Sequence, residues 1–300
     1  MPPSKDRYEL LRTRLRRFTR MLHGAQSGDV RAVHQMRVAS RRLRELLPIL
    51  QIDAVTGQKL EHHLRKVTRL LGTLRELDVM ATLIGELRAR DSSDHVALDR
   101  LADLVADARA RALGRLGGKV WKQLGRLSDK LGRVAVQLNA PESRLPQRRG
   151  WRWALDARIA HRAERLDATL RAAGAVYLPE RLHAVRIATK KLRYAVELSV
   201  EAAGGRTSAD LRTLKRSQQV LGRMHDLQVL IDFVRSVQAR LKSPELAVRR
   251  SSDDIVRGLE NSCRRLHARH LRERPALRAV LEHLNARPAV DARATARRAG

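Results

Sequence analysis

Two stretches of this sequence carry residue types suited to holding phosphate: VHQMRVASRRLR at 33–44 and LHAVRIATKKLR at 182–193. On a helix advancing about 100° per residue, with His34 at zero, Arg37, Arg41 and Arg44 fall at about 300°, 340° and 280°. Met36, Leu43, Leu47 and Leu50 fall on the opposite side, at about 160° to 220°. One face is therefore apolar, and the other carries a row of cations headed by a histidine. His183, Arg186, Lys190 and Arg193 form the same row in the second stretch, and Arg42 and Lys191 flank the two rows. Arginine offers a planar fork that meets two phosphate oxygens, and lysine a mobile point charge. A neutral histidine donates one N–H and a charged one donates two. A hydrogen bond between helices is the plain alternative for the histidine. Beyond the histidine, the residues of each row are all cationic, with no carboxylate among them, so each is a like-charge row that disfavours an isolated helix.

The two phrases are copies. Aligning 33–47 with 182–196 pairs His34 with His183, Arg37 with Arg186, Ala39 with Ala188, Leu43 with Leu192 and Arg44 with Arg193. Most other pairs are conservative, Arg41/Lys190 and Arg42/Lys191 among them. A second echo lies downstream, LLGTLRELDVM at 70–80 against VLGRMHDLQVL at 220–230. Two echoes at nearly one offset indicate duplication of a whole unit. In the second echo Arg65, Thr68, Gly72 and Arg75 share a helix face, as do Lys215, Gln218, Gly222 and His225. The glycine leaves room for a ligand or for a crossing helix.

The rest of the chain reads as helices built to carry these rows. Apolar residues recur at helical spacing, and strand-like alternation is absent. The breaks predict a helix from Lys5 to His23 and a second from Asp29 to just before Gly57, kinked at Pro48. A third covers Thr56 to Arg90, and a fourth starts after DSSD and is broken or bent at GRLGG (114–118). In the second half, helices are predicted over Trp151–Ala173, from Pro179 to Gly204-Gly205, and over Thr207–Leu241. Another opens at Ser243-Pro244-Glu245, and a short one follows Pro275. The expected organisation is a four-helix repeat over 1–140, a linker over 141–150, a second four-helix repeat over 151–286 and a basic disordered tail over 287–300.

Composition narrows the partner. There are 62 Lys and Arg against 32 Asp and Glu, a net charge of +30. Such an excess repels itself in a compact fold unless a polyanion neutralises it. Nucleic acid, an acidic membrane surface and a polymeric phosphate are the candidate classes. Hydrophobic residues make up 43%, enough for a real core, and the single cysteine, Cys263, excludes an intramolecular disulfide. No run is long and apolar enough to insert into a membrane. A cytoplasmic location is expected.

The paired phrases, each followed by its LG-containing helix, resemble the CHAD family, the conserved histidine α-helical domain, over about 5–285. The resemblance implies an all-α fold of two four-helix bundles related by a pseudo-twofold axis. It implies a central basic groove that binds inorganic polyphosphate, and with it an association with polyphosphate granules. Carried onto matching positions, the binding set is His34, Arg37, Arg41, Arg42, Arg44, His183, Arg186, Lys190, Lys191 and Arg193, with Arg65, Arg75, Lys215 and His225 matching more loosely. Family members are often joined to a CYTH domain. Its Glu-x-Glu-x-Lys signature is absent here, so the stand-alone form is expected.

A non-catalytic binding role, with no cofactor and no metal, follows from the lack of a carboxylate set for Mg²⁺. Glu76, Asp78 and Asp226 are expected to orient arginines. GRLGGK at 114–119 fails the P-loop spacing, and His267 and His270 are expected on a solvated face rather than on a metal. Sequence-nonspecific nucleic-acid binding is the rival reading, and a metal-dependent phosphate-processing enzyme a more distant one. With three Trp, three Tyr and two Phe in the chain, platforms for stacking bases are scarce.

Overall fold

The computed structural model describes residues 5–89, 95–140, 150–205, 207–240 and 246–286. Every regular element among them is helical: α1 (Arg7–Arg20), α2 (Leu22–Gln26), α3 (Val30–Leu46), α4 (Ala54–Arg88), α5 (His95–Gly114), α6 (Gly118–Asn139), α7 (Gly150–Ala173), α8 (Pro179–Ala202), α9 (Ala209–Gln238) and α10 (Leu246–Asn285). Of the linker expected over 141–150, Gly150 opens α7 and the rest, like the DSSD and Ser243-Pro244-Glu245 start signals and the tail over 287–300, lies outside the described residues.

Local chemistry sets the boundaries. At α1, Asp6 accepts from the Glu9 N–H while Glu9 reaches back to the Asp6 N–H, a closed capping box. Asp29 caps α3 by accepting from the Ala32 N–H at 2.6 Å. The kinked helix expected to run from Asp29 to just before Gly57 is instead shorter. Pro48 lies in a 3₁₀ turn, Leu47–Ile49, that ends α3, and Gln51 reverses the chain at a positive φ of 55°. Asp53 then caps α4, accepting from Thr56 N–H at 2.9 Å. Gly117-Gly118 separates α5 from α6, so the first half holds one long helix more than expected.

Pro275 was expected to open a new helix, yet it sits inside α10. The proline is exposed while Leu277, Val280, Leu281 and Leu284 beyond it are buried. One continuous apolar stripe holds both sides of the helix to the core, which offsets the hydrogen bond that proline cannot donate.

The duplicated phrases fall on α3 and α8, and their downstream echoes on α4 and α9. Within the halves α3 packs on α4 and α8 on α9, and α1, α5, α6, α7 and α10 cover the outer sides. Between the halves like meets like: α3 contacts α8, and α4 contacts α9. Met36 and Leu43 on α3, and Val185 and Leu192 on α8, are fully buried. Each such side chain contributes about 1.5–3 kcal/mol by leaving water. With these faces buried, most of the cationic rows lie toward the seam between the halves. No described helix is long and apolar enough to cross a membrane.

Candidate anion-binding groove

The seam opens into a groove of about 750 Å³. Of the residues expected to bind, His34, Arg37, Arg41, Arg75, His183, Arg186, Lys190, Arg193, Lys215 and His225 line it. The helical rows thus converge from both halves, Arg37 and Arg41 from α3 and Arg186 and Lys190 from α8.

Their mutual repulsion shows in their acid–base properties. Burial, then Arg41, Arg186 and Arg37, pushes the Lys190 ammonium down to about 6. Burial and Arg41 lower Arg37 to about 10, against an opposing pull from Glu76. The Nε of Arg37 is buried without a hydrogen-bond partner, and its guanidinium lies over Gly72. A Cβ added there would stand 3.7 Å from Nη2. That glycine therefore accommodates a groove arginine, whereas Gly222 lines the groove beside open space.

The two histidines that head the rows differ. His183 meets His225 with ring centroids 4.6 Å apart and Nδ1 atoms at 3.2 Å, the bond between helices α8 and α9 that was the plain alternative. One ring donates and the other accepts. Burial, then Arg186, lowers both, His225 to about 3. His34 is half-buried and makes no such bond among the described residues; burial, then Arg75 and Arg37, lowers it too.

Four expected residues lie outside the groove. Arg42 points to the other side of α3 and donates to Glu197 of α8 at 2.7 and 3.2 Å. Arg65 pairs with Glu61 at 2.8 Å, and Arg44 approaches the same carboxylate at 4.0 Å. Lys191 neighbours Arg162, Arg165, Arg44 and Glu45, a separate basic cluster in which Arg158 donates to Glu45 at 2.6 Å. Arg193 lines the groove but is held by Glu197 and Gln218.

The carboxylates separate as well. Glu76 and Asp226 line the groove beside its arginines. Asp78 does not. It is buried and accepts from Arg109 Nε of α5 at 2.6 Å, and the same guanidinium donates to the Gly28 carbonyl at 2.6 Å. Arg223 and Tyr194 also line the groove, and sequence reasoning missed both. Their counterparts in the first repeat are Thr73 and Glu45, so no repeat signal marked them. Arg223 is paired with Glu86 across the two halves.

His267 and His270 contradict the expectation of a solvated face, being 8% and 2% exposed. The α10 stripe that includes Cys263 and Leu277 carries them inward. Burial, then Arg274, lowers His270 to about 4. Among the described residues no three His, Cys, Asp or Glu side chains group so as to hold a metal.

An all-helical fold with duplicated histidine-headed rows around a basic groove defines the class, and comparison with known families agrees. The family model described as the CHAD domain matches residues 9–235, and the chain belongs to that family. Two solved structures share its fold. The crystal structure of the CHAD domain from the plant Ricinus communis superimposes with a TM-score of 0.64 at 20% identity, over 96% of this chain and 95% of that one. PptA from Streptomyces chartreusis gives 0.57 at 19% identity, over 95% of this chain and 99% of that one. Among curated proteins no sequence matches the chain.

Proposed function

We propose that the chain binds inorganic polyphosphate in the groove between α3 and α8 without chemically altering it. The observation that carries this reading is the convergence of Arg37, Arg41, Arg186 and Lys190, none of which makes an ion pair among the described residues. Side chains held this close repel one another until a polyanion enters, so the ligand supplies the charge that the fold omits. A linear phosphate chain has closely spaced charges and no bases to accommodate. Tyr194 is the one Phe, Tyr or Trp ring along the groove among the described residues, which favours a phosphate polymer over a stacked single-stranded nucleic acid. Glu76 and Asp226 face arginines, whose charge opposes a metal ion, and this supports a binding role over catalysis. Affinity for the polymer gives the chain a route to polyphosphate granules.

Isothermal titration with long-chain polyphosphate, orthophosphate and duplex DNA tests the reading. Polyphosphate is expected to bind with one continuous site per chain, far more tightly than orthophosphate, and less tightly as salt rises. Equal affinity for DNA at physiological salt overturns it in favour of nucleic acid.

A further inference from the structure

A second cavity, of about 280 Å³, opens on the far side of the His183–His225 pair, and the two histidines border both it and the groove. Its chemistry is the reverse of the groove's. Leu182, Leu221 and Met224 form apolar walls, and Glu180 and Asp232 supply carboxylates. Neither carboxylate makes an ion pair among the described residues. Asp232 accepts one hydrogen bond from Gln228, whose own oxygen accepts from the Tyr177 hydroxyl.

The duplication explains why the cavity exists here. At the offsets of the two echoes, Tyr177 corresponds to Gly28 and Gln228 to Asp78. In the first half Arg109 bridges that pair, bonding both Asp78 and the Gly28 carbonyl, so a guanidinium stands between them. In the second half Tyr177 and Gln228 bond each other directly, and the space beside them stays open.

Glu180 and Asp232 disfavour a phosphate chain in this cavity, because like charges repel. The cavity is also at the small end for a whole ligand, and its apolar walls with two carboxylates suit a small apolar body that carries N–H donors. Resting on the proposed function, we infer that this cavity takes the base of an amino-bearing purine nucleotide, whose phosphates pass the histidine pair into the basic groove. The groove then accepts nucleoside triphosphates as well as phosphate polymers, with α8 and α9 selecting the base.

Titration calorimetry of the full chain, without added metal, compares ATP, UTP and tripolyphosphate, which carry the same number of phosphoryl groups. If the base contributes nothing, tripolyphosphate binds at least as tightly, since its chain ends are unsubstituted. The expected result is ATP about tenfold tighter than tripolyphosphate, equivalent to one well-made contact set, with UTP weaker than ATP because uracil lacks an exocyclic amine. Glu180→Gln with Asp232→Asn, both exposed positions, is expected to bring ATP down to the tripolyphosphate level and to leave tripolyphosphate no weaker. ATP binding no tighter than tripolyphosphate, or a preference that survives the double substitution, overturns the base site and leaves the groove reading intact. Failure of ATP, tripolyphosphate and long-chain polyphosphate alike overturns both.

Discussion

Arg42 of α3 grips Glu197 of α8 with two hydrogen bonds, at 2.7 and 3.2 Å, one residue along the chain from the groove-lining Arg41. Adjacent arginines thus have opposite tasks, since one joins the two halves and the other faces the groove. Glu197 also receives Arg193 at 3.5 Å, and one turn further on Glu201 receives the buried Arg14 at 2.8 Å. Arg42→Ala is expected to destabilise the fold by about 1–3 kcal/mol, through loss of charge-assisted hydrogen bonds and a partly stranded carboxylate. Chemical denaturation reads this directly. Polyphosphate affinity of the folded variant is expected to stay within about threefold of the parent; a larger loss would mean that Arg42 touches the ligand.

The rows are expected to act as one site. Arg37→Glu with Arg41→Glu, and separately Arg186→Glu with Lys190→Glu, should each remove most polyphosphate affinity, because a single chain held from both sides loses the benefit of the tethered second row. Arg65→Glu, on the outer face of α4, is expected to do little beyond a general electrostatic weakening. Circular dichroism checks that each variant remains helical. Retention of half the sites at unchanged affinity in either double variant would show two independent rows.

Binding is expected to take up protons. Lys190 stands near 6 in the empty groove against 10.5 ordinarily, and a phosphate chain stabilises its charged form. At pH 7.5 the bound state therefore holds more protons than the free state. Titrations in buffers of differing ionisation enthalpy should show uptake approaching about one proton per site, and Lys190→Gln should reduce it. The same depression bears on folding. Between about 6 and 10.5 the unfolded chain binds the extra proton, so this group makes the empty protein more stable as pH rises through that window and least stable below it. Enthalpies independent of buffer would contradict a neutral Lys190.

No turnover is expected. Incubated with polyphosphate or tripolyphosphate and Mg²⁺, the protein should release phosphate no faster than a protein-free control. Sustained release abolished by Asp226→Ala would instead make that carboxylate, whose pKa burial raises, part of a catalytic centre.

Helical periodicity by itself determined the all-α fold, the two cationic rows and the apolar faces behind them, because about 3.6 residues per turn fix the angle of every side chain around its own axis. The copied phrases further marked α3 and α8 as carriers of matching rows, although only the structure separated Arg44, beside Glu61, from Arg193, in the groove. What periodicity cannot fix is which neighbour stands at a given angle. Only the contact of α3 with α8 decided that Arg41 faces the groove while Arg42 meets Glu197, and only α7 decided that Lys191 joins the arginines around Glu45. Asp78 reads in sequence as a partner for groove arginines, yet α5, from outside the repeat signal, supplies Arg109 and turns it into a lock. Arg223 and the open cavity beside Tyr177 arise where the two halves differ, so a signal made of likeness could not mark them. His267, His270 and Pro275 were misread because the burial of α10 depends on the helices it packs against. A helix stripe becomes core only when a matching face covers it.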